Sequence, residues 1–522
     1  MDPPPPRLRF LFFMLHAGYL RFYRPAIEVL AARGHEVHLA FTRLEKDPGD
    51  AALAASVAAA NPGVTYEEAP VRRRDDGWRP LAALVRSLVD LGRYMDPRYE
   101  DAPALRSRMA QKLSHHVTTA GRVDPISARA TLKTVRFLER HSGEAWERRV
   151  VGGLGAVEQA IPTDDEIDRY LRERRPDAVL VTPVIEFASS QVEYLKSARR
   201  AGIPCAVCVA SWDNLTGKGL IRVVPDRVLV WNDRQVEEAV SMHGIPRGRV
   251  VTTGAAKFDE WFERQPSTGR EEFLQQVGLA DGPYVFYACS SAFIAPDEVS
   301  FVERWLGALR AHPGLESVGV LVRPHPQNAR QWDGADLSRF GNVAVWPAAG
   351  AQPDAGEARA GFFDSLWHSA AVVGINTSAL IEAAILGKSV LTPRVPEFEG
   401  TQEGTLHFRY VTVENGGFVH VGALGEHIDA LADVLAHGDE HAERTRRFVE
   451  SFVRPYGLDR PAAPIMADAI EGVASLSPAP VRTSPGTELL RIALTPAAFA
   501  VGVIGGVSAR LRRRPTAEPD LA

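Results

Sequence analysis

Cysteine is scarce in this chain, with 3 in 522 residues. So few thiols exclude a disulfide framework and are typical of a reducing compartment. Two of them, Cys205 and Cys208, form a C-x-x-C, but they lie in an apolar run where a strand would point them to opposite faces. We therefore assign the cysteines no redox or metal-binding role.

The chain also lacks a strong excess of charge and a recognisable leader. Its net charge of -5 and pI of about 6.3 give no electrostatic attraction to nucleic acid. Basic residues precede a short apolar run near the N-terminus, but no small-residue cleavage site follows, so we interpret Phe10 to Leu15 as a buried strand. These features predict a cytoplasmic protein.

The length and the order of elements predict two domains. A chain of 522 residues is too long for one hydrophobic core. Strand-like runs alternate with helical stretches in both halves, which is typical of parallel, doubly wound sheets. We predict an α/β fold with two Rossmann-like domains facing a cleft. They span residues 8–264, with a helical insertion at about 71–160, and 270–473; a Pro/Ser-rich spacer and an apolar, basic tail follow at 474–522.

The segment from Val372 to Pro393 reads as strand, turn, helix, Gly cap and strand. Its turn holds Asn376, Thr377 and Ser378, three residue types that cap helices and leave free N–H groups for a phosphate. Glu382 follows one helical turn later, where a carboxylate can accept hydrogen bonds from a ribose diol. The segment predicts a site for a nucleotide diphosphate, although ordinary helix capping explains the same residues.

Two more loops of the second domain follow strands and should lie at the same sheet edge. One is Arg323-Pro324-His325-Pro326, in which the prolines restrict the backbone and hold the guanidinium in place for phosphate recognition. The other carries Ser290 and Ser291. We assign all four polar residues to the donor site; an ordinary surface turn is the alternative.

In the first domain, His16 falls at the carboxyl end of the first strand, where ligands gather in open α/β sheets. Gly18 beside it would let a substrate approach, so His16 is a candidate general base, or else a packed loop histidine. A later loop supplies four candidates for substrate contact: Trp212, Asp213, Asn214 and Lys218. An Asp-Asn turn anchored by the tryptophan is the alternative. In the second domain, Glu397 lies in a polar loop predicted to face the cleft.

Taken in order, these residues resemble the GT-B glycosyltransferase superfamily. The Arg323-Pro324-His325-Pro326 loop and the Asn376-Thr377-Ser378 turn look most like the branch of CDP-glycerol glycerophosphotransferases and capsule or surface-polysaccharide transferases. The resemblance covers roughly residues 8 to 470. It implies a nucleotide-activated sugar or polyol donor held by the second domain, a glycan or lipid-linked acceptor, and no cofactor.

No Asp-x-Asp is present, the spacing by which many sugar-nucleotide enzymes hold a divalent cation. We therefore expect no metal, with Arg323 and a helix N-terminus stabilising the leaving nucleotide and His16 accepting a proton from the acceptor hydroxyl. Two other functions stay open. One is a non-hydrolysing sugar-nucleotide 2-epimerase using Asp213 and Glu397, and the other is a non-catalytic GT-B-like binding module.

The tail combines an uncharged stretch, residues 492–509, with Arg510, Arg512, Arg513 and Arg514. The stretch is near the lower limit of about 17 residues for crossing a bilayer, and Pro496 and several glycines disfavour a soluble helix. A basic cluster favours the cytoplasmic side of a membrane. We expect peripheral contact with the inner face of the membrane; the alternative is that the segment packs on the first domain or is disordered beyond the Pro/Ser-rich spacer.

Overall fold

The computed structural model describes residues 6–73, 76–119, 133, 144–351, 356–438 and 442–512. The chain divides into two compact units. The first comprises Met1–Thr253 and Ala463–Ala522, and the second comprises Gly254–Ala462.

The first unit contains a seven-stranded parallel sheet in the order β3-β2-β1-β4-β5-β6-β7. Its strands are β1 Arg9–His16, β2 Glu36–Arg43, β3 Val64–Glu68, β4 Ala178–Thr182, β5 Cys205–Cys208, β6 Arg227–Val230 and β7 Val250–Thr252. Its helices are α1 Leu20–Ala32, α2 Asp50–Ala60, α3 Trp78–Arg93, α4 Pro103–Thr119, α5 Glu144–Ala160, α6 Asp165–Arg174, α7 Val192–Ala201, α8 Asn214–Gly217 and α9 Asp233–His243.

The second unit contains a six-stranded parallel sheet in the order β10-β9-β8-β11-β12-β13. Its strands are β8 Tyr284–Ala288, β9 Gly319–Arg323, β10 Val343–Val345, β11 Ala371–Gly374, β12 Ser389–Arg394 and β13 His420–Ala423. Its helices are α10 Arg270–Val277, α11 Glu298–Ala311, α12 Gly356–Trp367, α13 Ala379–Ile385, α14 Glu399–Gln402, α15 Leu424–His437 and α16 Ala442–Phe452. Two further helices end the described chain, and most of the first and all of the second belong to the first unit: α17 Ala462–Ala474 and α18 Pro485–Arg512.

Both sheets form for the same reason. Their central strands are continuous apolar runs, and helices cover both faces, so every residue of β4 and β8 is buried. In each unit the strand order reverses beside the first strand, between β1 and β4 and between β8 and β11. This is the Rossmann arrangement, and the predicted fold class of two Rossmann-like sheets with a helical insertion in the first is confirmed.

The inserted helices are fixed by buried charges. Arg86 on α3 donates to both carboxylate oxygens of Glu158 on α5, at 2.9 and 3.0 Å, and it also bonds Glu193 on α7. Lys196 completes the group, with its Nζ 3.3 Å from Glu158. Because each buried charge has an opposite partner, the network can hold the insertion against the sheet without leaving an uncompensated ion.

The first point at which the chain passes from one unit to the other differs from the predicted linker. The predicted linker near 265–270 lies within the second unit, where Asp364 of α12 accepts hydrogen bonds from the backbone and hydroxyl groups of Ser267 and Thr268. Upstream of it, Asp259 accepts from Arg454 Nη2 at 2.9 Å and from Ala462 N at 2.9 Å. The polar segment near 265–270 is therefore a loop held within the second unit, not the linker. The chain passes from the first unit to the second between Thr253 and Gly254.

The second crossing also differs, because most of α17 belongs to the first unit rather than to the predicted second domain. Glu471 of this helix accepts from Arg33 Nη1 at 2.8 Å and lies 3.0 Å from His35 Nε2. These contacts join the helix to the α1–β2 turn. Its amphipathic pattern alone could not show which core it would cover.

The tail forms a helix, α18, that packs on α3 and α5. Arg491 Nε donates to the carbonyl of Ala160 at 2.8 Å, and Ala498 is buried. Pro496 lies inside the helix, so the stretch is helical although its proline and glycines disfavour a soluble helix. No helix within the described residues has the length and apolar character needed to cross a membrane.

Candidate functional site

The sheet topology brings most of the predicted site residues to one edge of each sheet. Parallel strands all end at the same edge, and ligands of open α/β sheets bind where the strand order reverses. His16 ends β1 at this point in the first unit. In the second unit, Ala288 of β8 is paired with Arg323 on one side and with Gly374 on the other, so these three strands end in register.

His16 is buried at the end of β1 and lies against a carboxylate. Its Nδ1 is 3.3 Å from Oδ2 of Asp50, the first residue of α2, and its ring packs edge-on against Tyr19 at 4.7 Å between centroids. Burial, followed by the positive charge of Lys46, lowers the pKa of His16 to about 4, although Asp50 opposes the shift. The imidazole is therefore neutral at pH 7 and able to accept a proton.

Gly18 is required by this pair of side chains. A Cβ at this position would lie 2.7 Å from Asp50 Oδ1 and 2.9 Å from His16 Nδ1, closer than real contacts allow. The predicted role was access for a substrate. The structure indicates a local role: because Gly18 has no Cβ, it leaves room for the contact between His16 and Asp50.

A second charged group lies at the same edge. Lys218 Nζ is 2.5 Å from Glu186 Oε1, and the hydroxyl of Tyr19 donates to the same oxygen at 3.4 Å. Burial opposes ionisation of Glu186, but the charge and hydrogen bond of Lys218, together with the charge of Lys112, outweigh it and lower the carboxyl pKa. Burial acts to lower the pKa of Lys218, but the negative charges of Glu186 and Asp213 raise it above its usual value. The group therefore keeps its charges at neutral pH.

Two residues of the Ser211–Gly219 loop stabilise the conformation of the loop. Trp212 is buried, and Asn214 Oδ1 accepts from the backbone N–H groups of Ala210 and Ser211 at 3.2 and 3.1 Å. Asp90 of the insertion supports the loop by accepting from Leu220 N at 2.8 Å. Of the four predicted contact residues here, Asp213 and Lys218 are the ones with charged groups at the sheet edge.

In the second unit, Ser290 and Asn376 meet across the point where the strand order reverses. Asn376 N donates to Ser290 Oγ at 3.3 Å. The Asn376 amide does not cap the following helix but donates to Thr405 Oγ1 at 3.0 Å, so it fixes the loop after β12. Ser291 is half-buried beside them.

Arg323 is the most unusual residue of this edge. It is 5% exposed, and its Nη1 has no hydrogen-bond partner among the described residues. Nη2 donates weakly to the carbonyl of Ala358 at 3.4 Å, and the guanidinium lies over the rings of Trp346 and Phe362 at 5.6 and 5.1 Å. Burial lowers the pKa of Arg323 to about 10, so the side chain stays charged at neutral pH.

His325 is half-buried and neutral, because burial lowers its pKa to about 4. Its Nδ1 accepts a hydrogen bond from Gln327 N at 3.1 Å. The proton of the neutral ring must then be on Nε2. His325 can therefore offer an N–H donor to a ligand without adding a charge.

Ser290 is positioned by a buried carboxyl group that sequence reasoning missed. Its N–H lies 2.8 and 3.1 Å from the two carboxyl oxygens of Glu298, and Tyr287 OH lies 3.2 Å from one of them. Glu298 is fully buried, and burial raises its pKa to about 8. Its place at the start of α11 resembles an ordinary N-terminal acid, which is why it drew no attention in the sequence.

The turn before α13 contains the predicted residues, but the side chain at its N-cap does not cap the helix. The helix begins at Ala379 with Ser378 as its N-cap, and the serine side chain makes no capping hydrogen bond. Thr377 Oγ1 accepts from Ala379 N at 3.4 Å. Glu382 is buried, and its Oε1 lies 3.9 Å from Lys257 Nζ, so the expected ribose acceptor has a cationic neighbour.

Glu397 lies on the surface in an ion pair with Arg304 of α11. Its assignment to a ligand stays a prediction, as do the other assigned roles. Within the described ranges, no three His, Cys, Asp or Glu residues are grouped so that they could hold a metal ion.

Asp50 and Glu186 are the residues of the first unit that sequence reasoning missed. Glu186 follows β4 at the carboxyl edge, so the rule that selected His16 could have found it. Asp50 begins a helix after the turn Asp47-Pro48-Gly49, which is a recognisable start signal. Nothing in the sequence shows that this helix start meets the end of β1.

Fold and site together define a class of protein with two Rossmann-like units, each with polar residues at the point where the strand order reverses. Searches of protein families and of curated proteins find no match. Among solved structures, the chain is similar to the UDP-GlcNAc 2-epimerase from Neisseria meningitidis bound to UDP-GlcNAc, with 11% identity, a TM-score of 0.49, and coverage of 89% of this chain and 100% of the other. It is also similar to a glycosyltransferase from Rickettsia africae ESF-5, with 9% identity, a TM-score of 0.49, and coverage of 90% and 100%. These values assign no activity.

Proposed function

We propose that this protein is a GT-B-like transferase that moves a sugar or polyol-phosphate group from a nucleotide-activated donor to a hydroxyl acceptor. The acceptor would be a glycan or lipid-linked molecule of the cell surface, modified at the cytoplasmic face of the membrane. The sequence motifs look most like the branch of CDP-glycerol glycerophosphotransferases and capsule or surface-polysaccharide transferases.

The observation that carries the proposal is the buried guanidinium of Arg323. A buried charge without an opposite partner is costly, and none of the described carboxylates pairs with this one. A diphosphate would supply the missing negative charge and accept from Nη1. Ser290 and His325 follow adjacent strand ends and offer a hydroxyl and a neutral N–H for the remaining phosphate oxygens.

In the transfer step, the acceptor oxygen forms a bond to the transferred group while the bond to the nucleotide breaks. Charge grows on the leaving phosphate oxygen, where Arg323 would stabilise it. His16 would accept the proton of the acceptor hydroxyl on Nε2, the ring nitrogen that does not face Asp50, and the carboxylate would stabilise the resulting imidazolium.

Ligand-dependent melting of the full chain tests the donor site. We expect UDP, CDP, GDP or CMP to raise the melting temperature, because a ligand that binds only the folded state stabilises it. Arg323→Met should weaken binding of that nucleotide by about 1.5 to 3 kcal/mol. The same change should stabilise the free protein, since it removes an unpaired buried charge. Arg339→Met, at an exposed arginine, is the matched control.

Three outcomes contradict the proposal. If no nucleotide shifts the melting temperature, a non-catalytic module is favoured. If Arg323→Met binds nucleotide like the parent, the donor site is misplaced. If a labelled sugar nucleotide incubated without an acceptor yields the free 2-epimer, the protein is an epimerase.

A further inference from the structure

The outward face of α18 is apolar and exposed. Leu489, Ile492 and Phe499 are 69%, 63% and 71% exposed, and spacings of three and seven residues put them on one side of the helix. The alanines at 493, 497 and 500 are exposed as well. Among the residues whose side-chain burial the structure describes, three other large hydrophobic residues are exposed, so half of the exposed ones lie on this helix.

The opposite side of the same helix is fixed to the first unit. Ala498 is 2% exposed, and a Cβ at Gly77, which precedes α3, would lie 3.2 Å from the Ala498 carbonyl oxygen. Arg491 is tied to the carbonyl of Ala160. The apolar face is therefore held outward by packing on its other side, and its exposure does not come from a detached helix.

The charges along the chain indicate what this face contacts. No charged residue occurs from Ile492 to Ala509, and then Arg510, Arg512, Arg513 and Arg514 follow within five positions. Apolar side chains beside a basic cluster are the combination that binds an anionic lipid surface: the apolar groups enter the headgroup boundary, and the arginines meet lipid phosphates. A second protein chain would account for the apolar face but not for the basic cluster directly after it.

We propose that α18 docks this protein on an anionic membrane surface through Leu489, Ile492 and Phe499, and that the basic sequence after residue 509 adds electrostatic attraction to anionic lipid. The helix lies on the membrane and does not cross it. This inference goes beyond the transferase proposal and stands without it, because it rests on the helix alone.

Co-sedimentation of the full-length protein with vesicles tests the proposal. We expect binding to phosphatidylcholine mixed with phosphatidylglycerol, weaker binding to phosphatidylcholine alone, and release at high salt. Replacing Leu489, Ile492 and Phe499 by Ser should reduce binding to mixed vesicles at least ~10-fold, since the inserted apolar area is lost. Tyr456→Ser, at an exposed aromatic of the second unit, should bind like the parent.

Replacing the four arginines by Gln should abolish the preference for the anionic vesicles; a preference that survives overturns the role of the cluster. Circular dichroism and melting of each variant establish that it is folded. Failure of the parent to bind either vesicle overturns the proposal, as does undiminished binding by the triple variant. Light scattering tests the alternative that a second copy of this chain binds the apolar face. If the parent is a dimer and the triple variant a monomer, the face is an interface between copies and the proposal is wrong.

Discussion

His16 and Asp50 lie 3.3 Å apart, Nδ1 to Oδ2, with both side chains buried at the carboxyl edge of the first sheet. The histidine comes from a strand end and the aspartate from a helix start, so the pair exists only because α2 packs beside β1. A buried carboxylate at this distance favours the protonated ring after proton transfer, while burial keeps the resting ring neutral.

The first prediction concerns the pH dependence of turnover. Replacing His16 by Ala should lower turnover about 100-fold or more and leave nucleotide affinity unchanged, because it removes only the base. In the parent, the pKa near 4 means that protonation of His16 should not reduce kcat/KM until the pH falls well below 6.5. Asp50→Asn should lower that pKa further and reduce kcat less than His16→Ala. A rate profile set by an ordinary histidine near pH 6.5 would contradict this assignment.

The second prediction concerns Gly18. Gly18→Ala should displace the pair of side chains, since the added methyl would lie under 3.0 Å from atoms of both His16 and Asp50. We expect lower turnover with little change in the binding of nucleotide. Gly248→Ala is the control, because a Cβ there meets nothing within 4 Å. Equal turnover of the two variants would show that the close contact does not matter.

Much of the fold could be predicted from the sequence, because parallel strands that are buried on both faces consist of continuous apolar runs. The runs around Phe10 to Leu15 and Ala178 to Thr182 are examples, and both are strands. The same apolar runs place His16, Ser290 and Arg323 at strand ends. In a parallel sheet these ends lie at one edge, where ligands bind.

The rest depended on contacts between distant parts of the chain. Nothing local distinguishes Asp50 or Glu298 from other acids at helix starts; only the packing of their helices buries them beside His16 and Ser290. Asn376 was expected to cap a helix, but its amide binds the loop after β12, a preference that only the folded chain reveals. For α17, the sequence could not show which of two cores the helix covers.

The third prediction concerns the stability of the insertion. Glu158 is fully buried between Arg86 and Lys196, so Glu158→Ala should leave two buried cations short of a partner and destabilise the first unit by about 3 to 5 kcal/mol. Glu28→Ala breaks a surface pair with Arg24 and should cost no more than about 1 kcal/mol. Urea unfolding measures both. Similar losses for the two variants would mean that the buried network contributes little.

The last prediction concerns the carboxyl group behind Ser290. The pKa of Glu298 is about 8 in the folded protein, above the value of about 4.3 expected in the unfolded chain, so between these values the folded state holds a proton that the unfolded state has released. This contribution to stability is complete below the unfolded pKa and is lost as the pH rises through 8. Its slope approaches about 1.4 kcal/mol per pH unit within the window.

Glu298→Gln should remove that slope, because the amide stays neutral while its oxygen can still accept from Ser290 N. We expect the difference in unfolding free energy between parent and variant to change steadily from pH 5 to pH 8, with the variant gaining relative to the parent as the pH rises. Glu303→Gln, on the outer side of the same helix in an ion pair with Arg339, should follow the parent. Parallel stability profiles for the parent and Glu298→Gln would mean that Glu298 is ionised in the folded protein and that the N–H of Ser290 is held by a charged group rather than a neutral one.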